Sequence, residues 1–285
     1  MAQGVVYKKK LTKGEKRVVL LSRLVIWAMI LIVMFPIVAV VSASMSDGQT
    51  FTQARLFPET WTLKNYVAVL QETDFLIWVK NTLIISLAVA VIQLLLTIPS
   101  AFAFSRLKFW GRKKGLMMLL LLQMFPAAMA LPAILGIAYR LNAMDNIWAL
   151  VIIQCGGSAY NIWLMKGFID GIPKELTEAA YMDGASTLQT FVQVILPLTK
   201  NMLIVIFLFS FIGSYSEFVF ASALLKDPSS QTIATGLKGF ITGKFSANWT
   251  QYSAAAIMAC LPIVGLFTIS QKYIAEGLVS GSVKG

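Results

Sequence analysis

The chain alternates between long apolar runs and short polar stretches, and the runs have a length that only a membrane requires. A helix needs roughly twenty apolar residues to cross a bilayer. Runs of about that length occupy 18–41, 81–104, 116–138, 147–165, 201–224 and 254–274. They predict six transmembrane helices and an all-α, polytopic membrane fold, without an internal repeat or low-complexity tract. Pro36 is expected to break the first run late, and Pro126 and Pro132 to kink or break the third. One polar stretch near the middle interrupts this pattern: residues 170–200, DGIPKELTEAAYMDGASTLQTFVQVILPLTK. It reads as two helices of about ten residues, each too short to span. Pro173 suits a first helical position. Leu176, Ala179 and Ala180 share a face, and Gly184 is placed to end the helix in a left-handed conformation. Ser186 and Gln189 form a capping box for the second helix. Leu188, Phe191, Val192, Ile195 and Leu196 give it an apolar stripe, and Pro197 is expected to close it.

Composition agrees with a membrane protein: of 285 residues, 58% are hydrophobic and only 13% charged. A net charge of +11 would suggest nucleic acid in a soluble protein. Here basic inner loops explain it, and no nucleic-acid partner is expected. Placing the amino terminus in the cytoplasm leaves only Arg55, Lys64, Lys80, Arg140, Lys226, Lys238 and Lys244 of the 24 Lys and Arg on the far side. Both termini and the 170–200 stretch are therefore expected to be cytoplasmic. The first apolar run is too long for a signal-peptide core. The segment 42–80 is rich in aromatics and should pack along the membrane surface or on a partner. Without histidine, most zinc and triad chemistry is excluded, so no metal site and no catalytic residue are expected. Cys155 and Cys260 lie in apolar runs and read as small buried hydrophobes, not a disulfide.

Polar groups inside spans mark candidate pathways. Glu217 is the one carboxylate within or at the rim of a span: it lines a cavity or closes an outer gate, or it sits solvated or bonded at the external interface. Asn161, Gln93, Gln123 and Gln154 could hydrogen-bond a transported solute, although interhelical hydrogen bonding is the commoner use of such groups. The proline-broken third span suits a moving gate helix and a static kink equally. Trp27, Trp148 and Trp163 read as interfacial anchors or core, ahead of sugar-stacking platforms.

The motif Glu178-Ala179-Ala180, three residues, Gly184, nine residues, Val194-Ile195-Leu196-Pro197 resembles the EAA signature of ABC-importer permeases, departing from it only in Val194 for isoleucine. The resemblance implies a type I ABC importer permease fold whose coupling helices, 173–197, dock into a partner ATPase. Glu178, Ala179, Ala180, Gly184, Leu196 and Pro197 would carry that docking. The alternative is an amphipathic pair resting on headgroups, but the stretch is not basic: Lys166, Lys174 and Lys200 face Asp170, Glu175, Glu178 and Asp183. The loop and tail resemble the smaller permease subunit of maltose/maltodextrin importers, from about residue 80 onward. That implies three parts: 1–80 with the basic terminus and first span, a five-helix permease core at 81–275, and a tail at 276–285. It implies a loop contacting the sugar-binding protein at Gly243, Asn248, Trp249 and Tyr252, and a tail, Gly281–Gly285, touching the ATPase. Implied partners are a second permease, an ATP-binding subunit dimer, an extracytoplasmic sugar-binding protein and lipid, in a bacterial plasma membrane. ATP and Mg would bind the partner ATPase, since no G-x-x-x-x-G-K-[ST] occurs here and the chain needs no cofactor of its own. The competing class is an ion-coupled secondary sugar transporter acting alone, which would favour paired carboxylates or histidines in its spans.

Overall fold

A 32-residue helix, α3 (Phe75–Arg106), runs the height of the molecule, and the other spans pack around it. At 1.5 Å per residue it is roughly 48 Å long, enough to protrude from the hydrocarbon at both ends. It begins before residue 81, and this draws Phe75 and Trp78 into the core. The computed structural model describes residues 12–48, 57–242 and 247–280. The basic residues 1–11, the stretch 49–56, Gly243 and the tail Gly281–Gly285 lie outside the described residues. Apart from one isolated bridge pairing Ser46 with Trp61, the described residues show no β pairing.

The expected spans are present, but not all are straight. α1 (Lys13–Ser44), α3, α14 (Trp249–Ser280) and the run Lys200–Leu224 are each long and apolar enough to cross a membrane. The third span is two helices, α4 (Arg112–Gln123) and α5 (Ala127–Arg140), bent by 92°. The fourth is α6 (Ile147–Cys155) and α7 (Ala159–Gly171), bent by 47°. Pro126 makes the first break, at the N-cap of α5. Pro36 does not break its helix as expected: it sits inside a continuous one, as Pro132 does within α5. A membrane helix tolerates the lost N–H where neighbouring groups or local adjustment satisfy the freed carbonyl. The 147–165 run breaks instead at Gly156-Gly157-Ser158, because consecutive glycines give a helix its weakest backbone preference.

Three apolar clusters line α3. One, at the end nearest residue 75, joins Phe75 and Trp78 to Phe211, Tyr215 and Ala254. The middle one joins Ile85 and Val89 to Leu150 and Leu224. The third joins Ala101 and Phe102 to Met165, Ile169, Ile195 and Val205. Most of α1 stands apart, its apolar side chains from Val18 to Ile37 uncovered by the rest of this chain. It is fastened at its far end, where Ser44 Oγ meets Tyr66 Oη at 2.8 Å and Asn65 Nδ2 donates to the Ser44 and Ser46 carbonyls. Expected on the membrane surface or on a partner, the 42–80 segment instead packs its α2 (Lys64–Glu72) against this chain's own α14 and α3.

At the same end, the stretch after residue 225 is clamped to the start of α3. Asn81 Nδ2 donates to the carbonyls of Ser229 and Gln231, both at 2.9 Å, and Ile233 N–H donates to Thr82 Oγ1 at 2.9 Å. Helix α13 (Ile233–Gly239) then lies so close to Trp78 that a Cβ on Gly236 would fall 2.2 Å from the indole. Trp78 is buried and cannot swing away. Gly236→Ala should therefore lift α13 and cost about 1–3 kcal/mol. Thermal unfolding of the purified chain in detergent should show a lower Tm, and an unchanged Tm would mean the contact gives way freely.

Candidate coupling surface and translocation cavity

The 170–200 stretch folds as two short helices with the predicted turn chemistry. α8 (Glu175–Met182) ends at Gly184, whose φ is +84°. Ala185 N–H returns to the Ala180 carbonyl at 2.9 Å and Gly184 N–H to the Tyr181 carbonyl at 3.1 Å, closing the helix end. Pro173 precedes the helix instead of occupying its first position. Ser186 Oγ accepts from Gln189 N–H, and Gln189 Oε1 accepts from Ser186 N–H at 2.7 Å, so the capping box forms.

The second helix differs from the expected one. It starts as α9 (Thr187–Gln189), widens into a π-helix over Thr190–Ile195 and ends as α10 (Leu196–Leu198). Pro197 lies inside it and does not close it. Proline has no N–H for residue 193 and its ring crowds that carbonyl; a wider turn just before it accommodates both defects. The widening shifts the buried face to Thr190, Ile195 and Thr199, so Leu188 and Val192 leave the expected stripe and point outward. Phe191 holds the helix down against Phe102, ring centroids 5.0 Å apart. The resulting outer surface carries Met182, 87% exposed, Leu188, 69% exposed, Leu176 and Tyr181, with Glu178, Ala179 and Gly184 also exposed. Leu196 is half-buried behind it and Pro197 exposed.

This surface is bolted to the spans by polar contacts that sequence reading missed. Arg106 Nη2 donates to the carbonyls of Ile169, at 2.9 Å, and Ile172, at 2.5 Å, capping the end of α7 where the chain turns into α8. Ser105 Oγ donates to Asp170 Oδ1 at 2.6 Å, and Lys166 pairs with the other Asp170 oxygen. Arg112 donates to the carbonyls of Phe104 and Ser105, closing the end of α3. In the sequence Arg106 reads only as one more cation of a basic loop.

Further up, the breaks in three spans face one cavity of about 930 Å³, lined by Gln93, Gln154, Gly157, Tyr160, Asn161, Ser210, Ser214 and Glu217 among apolar neighbours. Helix α11 (Lys200–Tyr215) supplies Ser210 and Ser214. Asn161 Nδ2 donates to Gln93 Oε1 at 3.1 Å and to Ser210 Oγ at 3.0 Å; Ser210 Oγ donates to Gln93 Oε1 at 2.7 Å. This buried triangle joins α3, α7 and α11. Gln93 Nε2 also donates at 3.0 Å to the Gln154 carbonyl, which accepts the Gly157 N–H as well, at the break after α6. Gln123 Oε1 accepts Tyr160 N–H at 2.9 Å, so the end of α4 caps the start of α7. Interhelical bonding is thus what the Asn161, Gln93 and Gln123 side chains do in this state, whereas Gln154 Nε2 is buried without a partner among the described residues. An adjoining cavity of about 740 Å³ holds Gln123, Tyr160 and Trp163, whereas Trp27 and Trp148 lie exposed on the surface.

Glu217 is half-buried in the break between α11 and α12 (Val219–Leu224) and is the only charged side chain lining the larger cavity among the described residues. Its Oε1 accepts from Phe220 N–H at 2.8 Å and its Oε2 from Ala221 N–H at 2.9 Å, so it caps α12 while facing the cavity. Glu217→Ala removes both acceptors and should cost about 1 kcal/mol; Glu217→Gln keeps one oxygen and should cost less. Equal Tm values for the two variants would count against a capping role. At the outer loop, Asn248 Oδ1 accepts from Gln251 N–H and caps α14, and the half-buried rings of Trp249 and Tyr252 meet edge to face at 5.8 Å. Nearby, Asp227 is held below the usual carboxylate range by hydrogen bonds from the Ser229 hydroxyl and then its backbone N–H.

A helical body around one long span, with a short helix pair at one end and a cavity at the span breaks, defines a transport permease. Residues 86–279 match the family model of the binding-protein-dependent transport system inner membrane component, and the chain belongs to that family. It is 37% identical over 256 residues to the maltodextrin transport system permease protein MdxG of Bacillus subtilis (strain 168), covering 90% of this chain and 92% of that one. Identity to the galactooligosaccharides transport system permease protein GanQ of the same organism is 34%, covering 93% and 95%. The maltose/maltodextrin transport system permease protein MalG of Escherichia coli (strain K12) is 32% identical, covering 96% and 98%. Among solved structures, a chain of a bacterial ABC transporter that imports the acidic polysaccharide alginate superposes with a TM-score of 0.80 at 24% identity, over 94% of this chain and 100% of that chain. The chain is therefore a multi-pass membrane protein with the type I importer permease fold.

Proposed function

We propose that this chain is one of two permease subunits of an ATP-driven carbohydrate importer, carrying a malto-oligosaccharide inward, and that it catalyses no reaction itself. The observation that carries the reading is the apolar, Glu178-bearing outer surface of α8 to α10, fastened through Arg106 and Ser105 to the ends of α3 and α7. An ATPase dimer that binds ATP and Mg docks there. Its closure moves α8 to α10 and, through those fastenings, the spans around the cavity. Both termini and this surface face the cytoplasm of a bacterial plasma membrane. At the opposite end the loop with Gly243, Asn248, Trp249 and Tyr252 meets an extracytoplasmic sugar-binding protein, and Gly281–Gly285 touch the ATPase. Glu217, Asn161 and Gln123 belong to this chain's half of the pathway, with the second permease supplying the other half. The malto-oligosaccharide is taken from the relatives, two of which are named for maltodextrin and galactooligosaccharides.

Mild detergent extraction, pull-down and mass spectrometry test the assembly. A second permease and an ATPase should be recovered with the chain. Recovery of the chain alone, under conditions that keep other transporters assembled, would overturn the reading.

A further inference from the structure

We infer that the loop between α3 and α4 is a binding site for an anionic phospholipid, its phosphate held by Lys108, Lys113 and Lys114 and an acyl chain resting on Phe109 and Met118. These residues, with Trp110 and Gly111, line a cavity of about 830 Å³. Gly111, at φ +88°, lets the chain reverse tightly and brings Lys108 to the same cavity as Lys113 and Lys114. Arg112 is committed inward to the Phe104 and Ser105 carbonyls, but none of the three lysine ammonium groups has an ion pair or hydrogen bond among the described residues. Three uncompensated cations around one cavity call for a phosphate.

The surroundings say that the phosphate belongs to a lipid. Trp110 is 99% exposed, and an indole is most stable where headgroups meet hydrocarbon. Met118, at the cavity, is exposed, and Leu121 and Leu122, three and four residues on along the same face of α4, continue it as an exposed apolar surface. A soluble partner could not follow that surface, whereas an acyl chain does. The loop also sits beside Arg106, so a lipid there would stiffen the fastening of α7 and α8. The site does not depend on which sugar is carried or on ATPase docking.

Native mass spectrometry of the detergent-purified chain, titrated with phosphatidylglycerol or phosphatidylcholine, tests the site. Phosphatidylglycerol should bind in preference, with about fivefold weaker binding for each lysine replaced by serine. K108R/K113R/K114R should keep the preference, and Trp110→Ala should weaken retention of the lipid without altering its charge selectivity. If the triple serine variant fails to insert, Trp110→Ala and single-lysine variants still decide. Equal binding of the two lipids by the unaltered chain would overturn the proposal, as would an unchanged preference when single lysines are replaced. Loss of a co-purifying ATPase with unchanged lipid binding would also overturn it, assigning the loop to a protein partner.

Discussion

Replacing Gly184 by valine is expected to abolish sugar uptake while leaving the chain inserted in the membrane. The reason is backbone and not space. A Cβ at Gly184 would meet nothing within 4 Å, but φ is +84°, a conformation that a β-branched residue scarcely adopts. Forcing it costs about 1–3 kcal/mol, more than an exposed two-bond helix end can hold. The turn would open and α8 would lose its setting against the π segment, disordering the surface that carries Glu178, Leu188 and Met182. Gly184→Asn discriminates between this account and a general intolerance of side chains. Asparagine accepts left-handed backbone and should retain most uptake. Membrane abundance by immunoblot and uptake of labelled maltotriose check the pair. Equal loss in both variants would mean that the side chain, not the backbone, disturbs docking.

The second large effect is expected at Asn161. Asn161→Leu keeps the branched shape but removes the amide that donates to both Gln93 and Ser210, so two buried hydrogen bonds are lost and only the Ser210–Gln93 bond remains. Each lost hydrogen bond costs about 0.5–1.5 kcal/mol, and both go from a polar junction of α3, α7 and α11 beside the cavity. Tm in detergent should fall by several degrees, and uptake should fall about tenfold if the junction sets the balance between states. Asn161→Leu combined with Gln93→Leu removes both sides of the bond and should recover part of the Tm loss obtained by summing the two single variants. No recovery would show that the two side chains are not coupled.

Much of this architecture was legible because it is written in local chemistry. Run lengths gave the spans, and the spacing from Glu178 through Gly184 to Pro197 gave the helix pair. Gly184 and the Ser186–Gln189 box needed only their own neighbours to fold as read. The π-helix at 190–195 was not legible, since it arises when a proline must stay within a helix whose far end continues into a span. Its extra residue per turn turned Leu188 and Val192 outward. The break at Gly156 was hidden by the apolar run around it, although two glycines and a serine signal it in retrospect. Arg106 and Ser210 were invisible for another reason: their partners lie 63 or more residues away for Arg106 and 117 away for the Ser210–Gln93 bond. Glu217 stood between two roles in the sequence, and the structure gives it a cap on α12 and a place at the cavity rim together.

The central claim is that transport through this chain is driven by an ATPase seated on α8 to α10. It is tested most directly by reconstituting the chain in liposomes with its second permease, ATPase and sugar-binding protein, and measuring maltotriose uptake with and without ATP. The account predicts uptake that requires ATP and every partner, does not respond to a proton or sodium gradient, and disappears with Gly184→Val. Gradient-driven uptake by the chain alone would contradict it and establish an ion-coupled carrier.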